Sequence, residues 1–472
     1  MHCVQNTTGA AICPALVEPL YTTHGEVTVL RKGVRQDSEE YSIFRNEASS
    51  VHLDNLINGL HINRIDLCGI AGDVCVLDTL KDGIKRYGTS MFHVLQEFCP
   101  SLDGGKALDM TIKKTVAMKQ IIRHFTDDDL YKFTMCCAVI DNFPRAQVKY
   151  TFTDRDNTAY PVGFAQALEE QIMMLESVTI TDEEIDFMRR KCRYIPAWFY
   201  TYLKGYRFNH EWVKVHQDED GHLYVDIEGC WSNTILLEVK LLAIISELYY
   251  TMTGEDSRFD YQAYYDKSYE KGRRLLEAGC VFSDFGTRRR ASFEAEDVAV
   301  RAMKACSHDN NWPGKFVGTS NVYLAMKHDL LPVGTMAHEF VCAIGGMYGP
   351  QMANHIAMNS WRNTFRGTLG TYLYDSFGWD IFSMNFSEDF ANLFKGLRID
   401  SGDNYEQLMK IVGKYRSLGI DSKTKQVVFS NALDVSSAIQ IQQYAKNYCL
   451  PSFGIALISP MSLLGLSPSI SS

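Results

Sequence analysis

The sequence predicts an α/β protein: a (β/α) barrel makes up much of the chain, and an incomplete doubly wound sheet precedes it. Three observations predict this. The 472 residues exceed one ordinary domain at roughly 100–200 residues each, and the 46% apolar and 22% charged fractions are those of globular chains. From about Val281 to Gly454, Gly-bounded strands alternate with helical patterns, and a barrel carries its chemistry at such strand ends. Near the N-terminus a strand, a tight turn and a helix follow one another, the βα unit of a parallel sheet.

Taken in order, Glu26-Val-Thr-Val-Leu-Arg31 reads as a strand and Arg64-Ile-Asp-Leu-Cys-Gly-Ile-Ala71 as a second. Val76, Leu77, Leu80 and Ile84 recur at helical spacing, and Gly88 closes that helix. Residues 1–117 supply too few strands for a complete doubly wound sheet. The character changes at Phe125-Thr-Asp-Asp-Asp-Leu-Tyr-Lys-Phe133, read as a helix start with Thr126 as N-cap. Residues 118–250 then mix helix and strand and are rich in aromatics. Ile235–Leu248 is apolar but interrupted by Glu238, Lys240 and Glu247, so it reads as a buried helix and not a membrane span. Residues 251–455 carry the strand ends Phe316-Val-Gly-Thr-Ser-Asn321, Gly334-Thr-Met-Ala-His338 and Val427-Val-Phe-Ser-Asn431. The tail 456–472 is Ser/Leu/Pro-rich and uncharged.

The charge sum is −10, with 47 Lys and Arg against 57 Asp and Glu. Such an acidic chain is a poor general binder of nucleic acid or anionic membrane, so any phosphate site must be a local basic cluster. The 13 cysteines are scattered, with one adjacent pair, Cys136-Cys137, and no CxxC spacing. That argues against structural zinc and for a reducing cytosol. No secretory signal is expected from the opening residues, so a cytoplasmic location is expected.

Gly69-Ile-Ala-Gly-Asp-Val-Cys75-Val places a Cys after a strand and at a helix start, where the helix dipole favours thiolate. A lone Cys there is more often a small buried residue. The whole phrase resembles the nucleophile turn of the nicotinamidase/isochorismatase family of cysteine hydrolases. Arg31-Lys32-Gly33 resembles that family's segment with a catalytic Lys, falling on Lys32. His2-Cys3-Val4-Gln5 resembles the segment with a metal-binding His, falling on His2. The resemblance implies an Asp base and an Asp-x-His metal pair that would lie before Met1, so residues 1–117 are expected to be a hydrolytically dead fragment.

The second set begins at Ser283-Asp-Phe-Gly-Thr-Arg-Arg-Arg290, three guanidinium groups behind a strand end. Arg suits carboxylate and phosphate, although three in a row are usually a solvated surface run. Downstream come Val317-Gly-Thr-Ser-Asn321, Gly334-Thr-Met-Ala-His338-Glu339, Gly396-Leu-Arg-Ile-Asp-Ser-Gly-Asp403, Val428-Phe-Ser-Asn-Ala-Leu-Asp434 and Ser452-Phe-Gly-Ile455. In this order the phrases closely resemble nicotinate phosphoribosyltransferase, from about Met118 to Ile455. The resemblance implies a type II phosphoribosyltransferase fold, an irregular (β/α) barrel with an α/β sandwich domain at 118–250. It implies formation of nicotinate mononucleotide and pyrophosphate from nicotinate and phosphoribosyl pyrophosphate (PRPP), driven by ATP through a phosphohistidine, in NAD salvage.

Residue by residue, the resemblance puts the phosphohistidine at His338 and the aromatic pair around the pyridine ring at Tyr131 and Phe285. Arg288 would face the nicotinate carboxylate and PRPP. Arg398, Asp400, Ser401, Gly402 and Asp403 would meet ribose and pyrophosphate, with Mg²⁺ held there. Thr319, Ser320 and Asn321 would line the same cavity, and Ser430 and Asn431 would contact phosphate. No tightly bound organic cofactor is expected. A homodimer is implied, with the Tyr131 segment reaching a neighbouring site. The competing expectations are nicotinamidase activity from the first 117 residues and a catalytically impaired product.

After Phe453-Gly-Ile the family continues Gly-Thr-His-Phe-Thr-Asn, where this chain has Ala456-Leu-Ile-Ser-Pro-Met461. Deleting one base from a coding sequence for the first phrase yields the second, so a frameshift is expected at the start of the tail. Met118-Lys-Gln-Ile-Ile-Arg-His-Phe125 resembles a family start, so a junction of two adjacent genes is expected there.

Overall fold

The structure is a computed structural model that describes residues 27–32, 40–60, 62, 64–87, 91–108, 120–154, 157–255, 259–368, 370–431, 433–456 and 468–471. His2 lies outside the described residues. The chain divides into two compact units, 1–119 and 120–472.

In the first unit, β1 (Ile65–Leu67) pairs in parallel with β2 (Phe92–Val94). A wide turn over Gly72–Val76 runs from β1 into the helix Leu77–Tyr87. That helix buries Leu77 and Leu80, which pack with Val76, Val94 and Leu108. The strand–turn–helix reading therefore holds. The strand expected over 26–31 does not: residues 27–32 form no regular element. A strand needs a ladder partner, and among the described residues β1 and β2 bond only each other.

The second unit contains two sheets. An antiparallel sheet has the order β13 (Pro468–Ser471), β3 (Gln147–Asp154), β5 (Leu223–Cys230), β4 (Val213–Gln217). The helices Phe164–Met174 and Glu238–Thr253 pack beside it. The second sheet is seven-stranded and all-parallel. Its order is β8 (Leu331–Pro332), β7 (Lys315–Thr319), β6 (Val281–Asp284), β12 (Leu450–Ile455), β11 (Gln426–Phe429), β10 (Gly396–Ile399), β9 (Thr371–Leu373). One face of the sheet is apolar, because the register aligns the buried Phe282, Phe316, Leu397, Val427, Phe429 and Phe453, while the other face carries Ser283, Arg398 and Ser452. No ladder joins the outer strands β8 and β9. The Thr335 hydroxyl bridges that seam, donating to the Thr371 carbonyl at 2.7 Å. Gly370 permits the approach, because a Cβ there would lie 2.5 Å from the Thr335 methyl.

The helix 238–253 shows why its charges do not break it. Glu238 faces Lys132, Lys240 reaches Asp128 at 2.6 Å, and Glu247 lies 3.6 Å from Arg290. Each interruption in an otherwise apolar helix is a buried ion-pair partner, as buried charges must be.

Candidate active site

The segment 126–132 is held residue by residue to separate elements. The Thr126 hydroxyl donates to Glu184 at 2.6 Å. Asp127 accepts both terminal nitrogens of Arg290, at 2.6 and 2.8 Å, and the Asn321 amide at 2.8 Å. Asp128 pairs with Lys240, Asp129 accepts the Ser320 hydroxyl at 2.6 Å, and Lys132 contacts Glu238 and Glu339. The expected N-cap role of Thr126 is thereby corrected: the helix begins at Leu130 after Asp129, and Glu184, 58 residues away, takes the Thr126 hydroxyl. Burial pushes the Asp128 carboxyl up to about 6 despite Lys240.

This bonding sorts the three arginines. Arg290 is fully buried and spent on Asp127 and Glu296. Arg289 is exposed. Arg288 is half-buried, and no hydrogen bond or ion pair to a described residue holds its guanidinium. Its electrostatic neighbours are Tyr131, Glu238, Asp129 and Asp400, and they raise its affinity for the proton. Tyr131, 7% exposed, has a hydroxyl with no partner. Burial raises its pKa, with Arg288 opposing. Tyr131 therefore stands near Arg288 of its own chain.

Phe285 follows β6. Its amide donates to the Ile455 carbonyl at 3.0 Å, and its ring lies over Gly454, where a Cβ would come within 2.3 Å. The Arg398 guanidinium carbon sits 5.7 Å from the Phe285 ring centroid. Arg398 Nε donates to Ser430 at 2.8 Å, one terminal nitrogen to Asp400 at 2.9 Å, and the other to the Met336 carbonyl at 3.3 Å. Burial alone would raise the Asp400 pKa. Arg398, the Ser430 hydroxyl and His338 outweigh it and hold the carboxyl at about 2.

His338 opens the helix His338–Tyr348 and is 40% exposed. Its Nε2 lies 2.9 Å from Asp375 Oδ1, and its Nδ1 lies 3.7 Å from Asp400 Oδ2. The second Asp375 oxygen accepts the Ser401 hydroxyl at 2.6 Å and the Asp400 amide at 3.2 Å. A buried carboxylate thus fixes Nε2, while Nδ1 lies toward Asp400 on an imidazole that stays partly exposed. Sequence reasoning missed Asp375. The signal was present: Thr371-Tyr-Leu-Tyr-Asp-Ser376 ends β9 as the other functional phrases end their strands.

The remaining expected residues divide into two groups. Ser430 stands with Asp400, and the Asn431 amide donates to the Gly402 carbonyl at 2.8 Å. Gly402 has φ +77°, a conformation that favours glycine. Asp403 accepts the Tyr405 and Glu406 amides as N-cap of the helix Asn404–Ser417. Thr319, Ser320 and Asn321 depart from the cavity-lining expectation. All three are buried, and their side chains are spent on Asp284, Asp129 and Asp127.

In the first unit, Cys75 is half-buried in the turn after β1. The Lys32 amine donates to the Tyr41 carbonyl, and no hydrogen bond joins it to Cys75.

Among the described residues no three His, Cys, Asp or Glu side chains converge on a point that could hold a metal. Asp400 is the ionised carboxylate that would meet a Mg²⁺ ion there.

The family model for the N-terminal domain of nicotinate phosphoribosyltransferase matches residues 126–246, and the nicotinate phosphoribosyltransferase family model matches 280–456. A nicotinate phosphoribosyltransferase of Desulforapulum autotrophicum is 38% identical over 335 residues, covering 71% of this chain and 84% of the relative. That of Methanosarcina mazei is 34% identical over 351 residues, covering 71% and 85%. The crystal structure of the Porphyromonas gingivalis nicotinate phosphoribosyltransferase superposes with a TM-score of 0.69 at 37% identity, covering 74% of this chain and 89% of that one. With these matches running through every strand end that carries the site, the chain belongs to the nicotinate phosphoribosyltransferase family.

Proposed function

We propose that this enzyme transfers the phosphoribosyl group of PRPP to nicotinate, giving nicotinate mononucleotide and pyrophosphate, with ATP consumed through a phosphohistidine at His338. One observation carries the reading of the acceptor pocket: an unbonded Arg288 guanidinium lies beside the unpartnered, buried Tyr131 hydroxyl. A planar aromatic acid would give the Arg288 guanidinium its anionic partner, with its ring between Tyr131 and Phe285. The amide analogue would leave the guanidinium without an anionic partner.

The ribose and pyrophosphate would lie along Arg398, Asp400, Ser401, Gly402 and Asp403, with Ser430 and Asn431 beside them. As the glycosidic bond breaks, positive charge grows at the anomeric carbon, and the ionised Asp400 supports it. Mg²⁺, when bound, neutralises the departing pyrophosphate. His338, oriented by Asp375, takes the γ-phosphoryl group of ATP with release of ADP, and the phosphohistidine is then hydrolysed to inorganic phosphate.

No helix of the described residues is long and apolar enough to cross a membrane. We further propose a homodimer, and we read residues 1–117 as a nicotinamidase-like remnant, supported by the turn that presents Cys75 after β1. The test is product formation from PRPP and ATP with nicotinate or nicotinamide as acceptor. Nicotinate is expected to be used and nicotinamide to react at least about a hundredfold more slowly. Equal rates would remove the role given to Arg288.

A further inference from the structure

The helix Leu130–Asn142 meets the segment that leads into the helix His338–Tyr348. A Cβ on Gly334 would lie 3.4 Å from the Tyr131 amide nitrogen. The Lys132 amine contacts the Glu339 carboxylate. The Thr134 hydroxyl donates to the Thr335 carbonyl at 2.6 Å, and the Ala337 amide donates to the Met135 sulfur at 3.3 Å. Residues 131–135 and 334–339 thus meet at four points, and the Lys132–Glu339 contact joins the residues next to Tyr131 and His338.

Lys132 is 0% exposed, so it cannot touch substrate. It is shared between two carboxylates, Glu339 on the helix His338–Tyr348 and Glu238 on the helix Glu238–Thr253. Glu339 also accepts the Trp231 indole N–H at 2.8 Å and the Tyr150 hydroxyl, which pin its carboxylate in place. Apolar residues of similar volume would serve packing as well as a buried ion pair does. Lys132 instead ties the helix that bears Tyr131 to two other helices at once.

We infer that the Lys132–Glu339 contact is a clasp that makes the Tyr131-bearing and His338-bearing helices one body, so that phosphorylation of His338 changes how Tyr131 is held. The inference rests on the phosphohistidine reading above. A phosphoryl group brings roughly two negative charges to the residue preceding Glu339, and the Lys132–Glu339 contact carries the resulting displacement to the helix that bears Tyr131. Lys132 and Glu339 are positioning residues in this scheme.

The test is the Kd of nicotinate for the full chain, titrated with and without ATP, in wild type, Glu339→Gln and Glu238→Gln. Melting temperature and phosphoryl label on His338 are read alongside. In wild type ATP is expected to shift Kd by about fivefold or more, within the usual range of coupling between sites. Glu339→Gln is expected to accept label yet to shift by less than about twofold, while Glu238→Gln, which leaves the Lys132–Glu339 contact in place, keeps the wild-type shift. A full shift in Glu339→Gln, or equal loss in both variants, overturns the clasp. Should Glu339→Gln not fold, Glu339→Asp decides: a reduced shift supports the clasp and an unchanged one overturns it. Absence of label on wild-type His338 would instead sink the phosphohistidine reading.

Discussion

Arg398 lies over the face of Phe285, 5.7 Å from the ring centroid, while its nitrogens are given to Ser430, Asp400 and the Met336 carbonyl. One side chain therefore joins the aromatic wall of the pocket to the carboxylate that faces His338. Lysine keeps the charge but has neither the planar fork nor the flat stacking surface. Arg398→Lys is expected to lower kcat/KM for PRPP by about 10- to 100-fold, the worth of one or two charge-assisted hydrogen bonds. Steady-state kinetics check this, and an unchanged kcat/KM would reduce Arg398 to packing.

Gly454 makes room for the Phe285 ring. A Cβ there would lie 2.3 Å from Phe285 Cε2, and the ring is the movable partner. Gly454→Ala is expected to raise KM for nicotinate about tenfold, a loss of about 1.4 kcal/mol, with a small change in melting temperature. A KM within twofold of wild type would show that Phe285 does not touch the acceptor.

Removing Lys240 would leave Asp128 buried with no cation. Lys240→Met is expected to cost about 3–5 kcal/mol in urea unfolding. Replacing both partners, with Lys240→Met and Asp128→Leu, should recover part of that loss. A single substitution costing under about 1 kcal/mol would contradict the assigned pairing.

Stability should also depend on pH in the neutral range. Burial, only partly opposed by Arg290, pushes the Glu247 carboxyl up to about 7 and Glu296 up to about 8. In the unfolded chain both ionise near the ordinary value of about 4.3. Between these limits the folded protein holds more protons than the unfolded chain. The stabilisation is therefore fully present below pH of about 4 and is lost as pH rises through about 7 and 8. Melting temperature is expected to fall across that window, and Glu296→Gln to flatten the fall. A rise with pH would contradict the burial of these two acids.

Much of the site was legible because a parallel barrel places its functional groups at strand ends, and each strand end is short, local and marked by small residues. Phe285, Asp400 and Ser430 directly follow their strands as their phrases predict, whereas His338 opens a helix six residues beyond the strand Leu331–Pro332. What the sequence concealed was pairing across distance. Asp375 holds His338 from 37 residues away, and Glu339 meets Lys132 from 207. The same blindness made Thr126 a helix cap and made Thr319, Ser320 and Asn321 cavity residues. Their partners Glu184, Asp284, Asp129 and Asp127 come close only in the fold.

The central claim is that His338, oriented by Asp375, carries the phosphoryl group that links ATP to phosphoribosyl transfer. The most direct measurement incubates the purified full chain with γ-labelled ATP and maps the acid-labile, base-stable label. The account predicts label on the peptide bearing His338, its loss in His338→Ala, and a decrease of at least about a hundredfold in labelling rate in Asp375→Asn. Label that persists in His338→Ala, or ATP-dependent nicotinate mononucleotide formation with no label at His338, would contradict it.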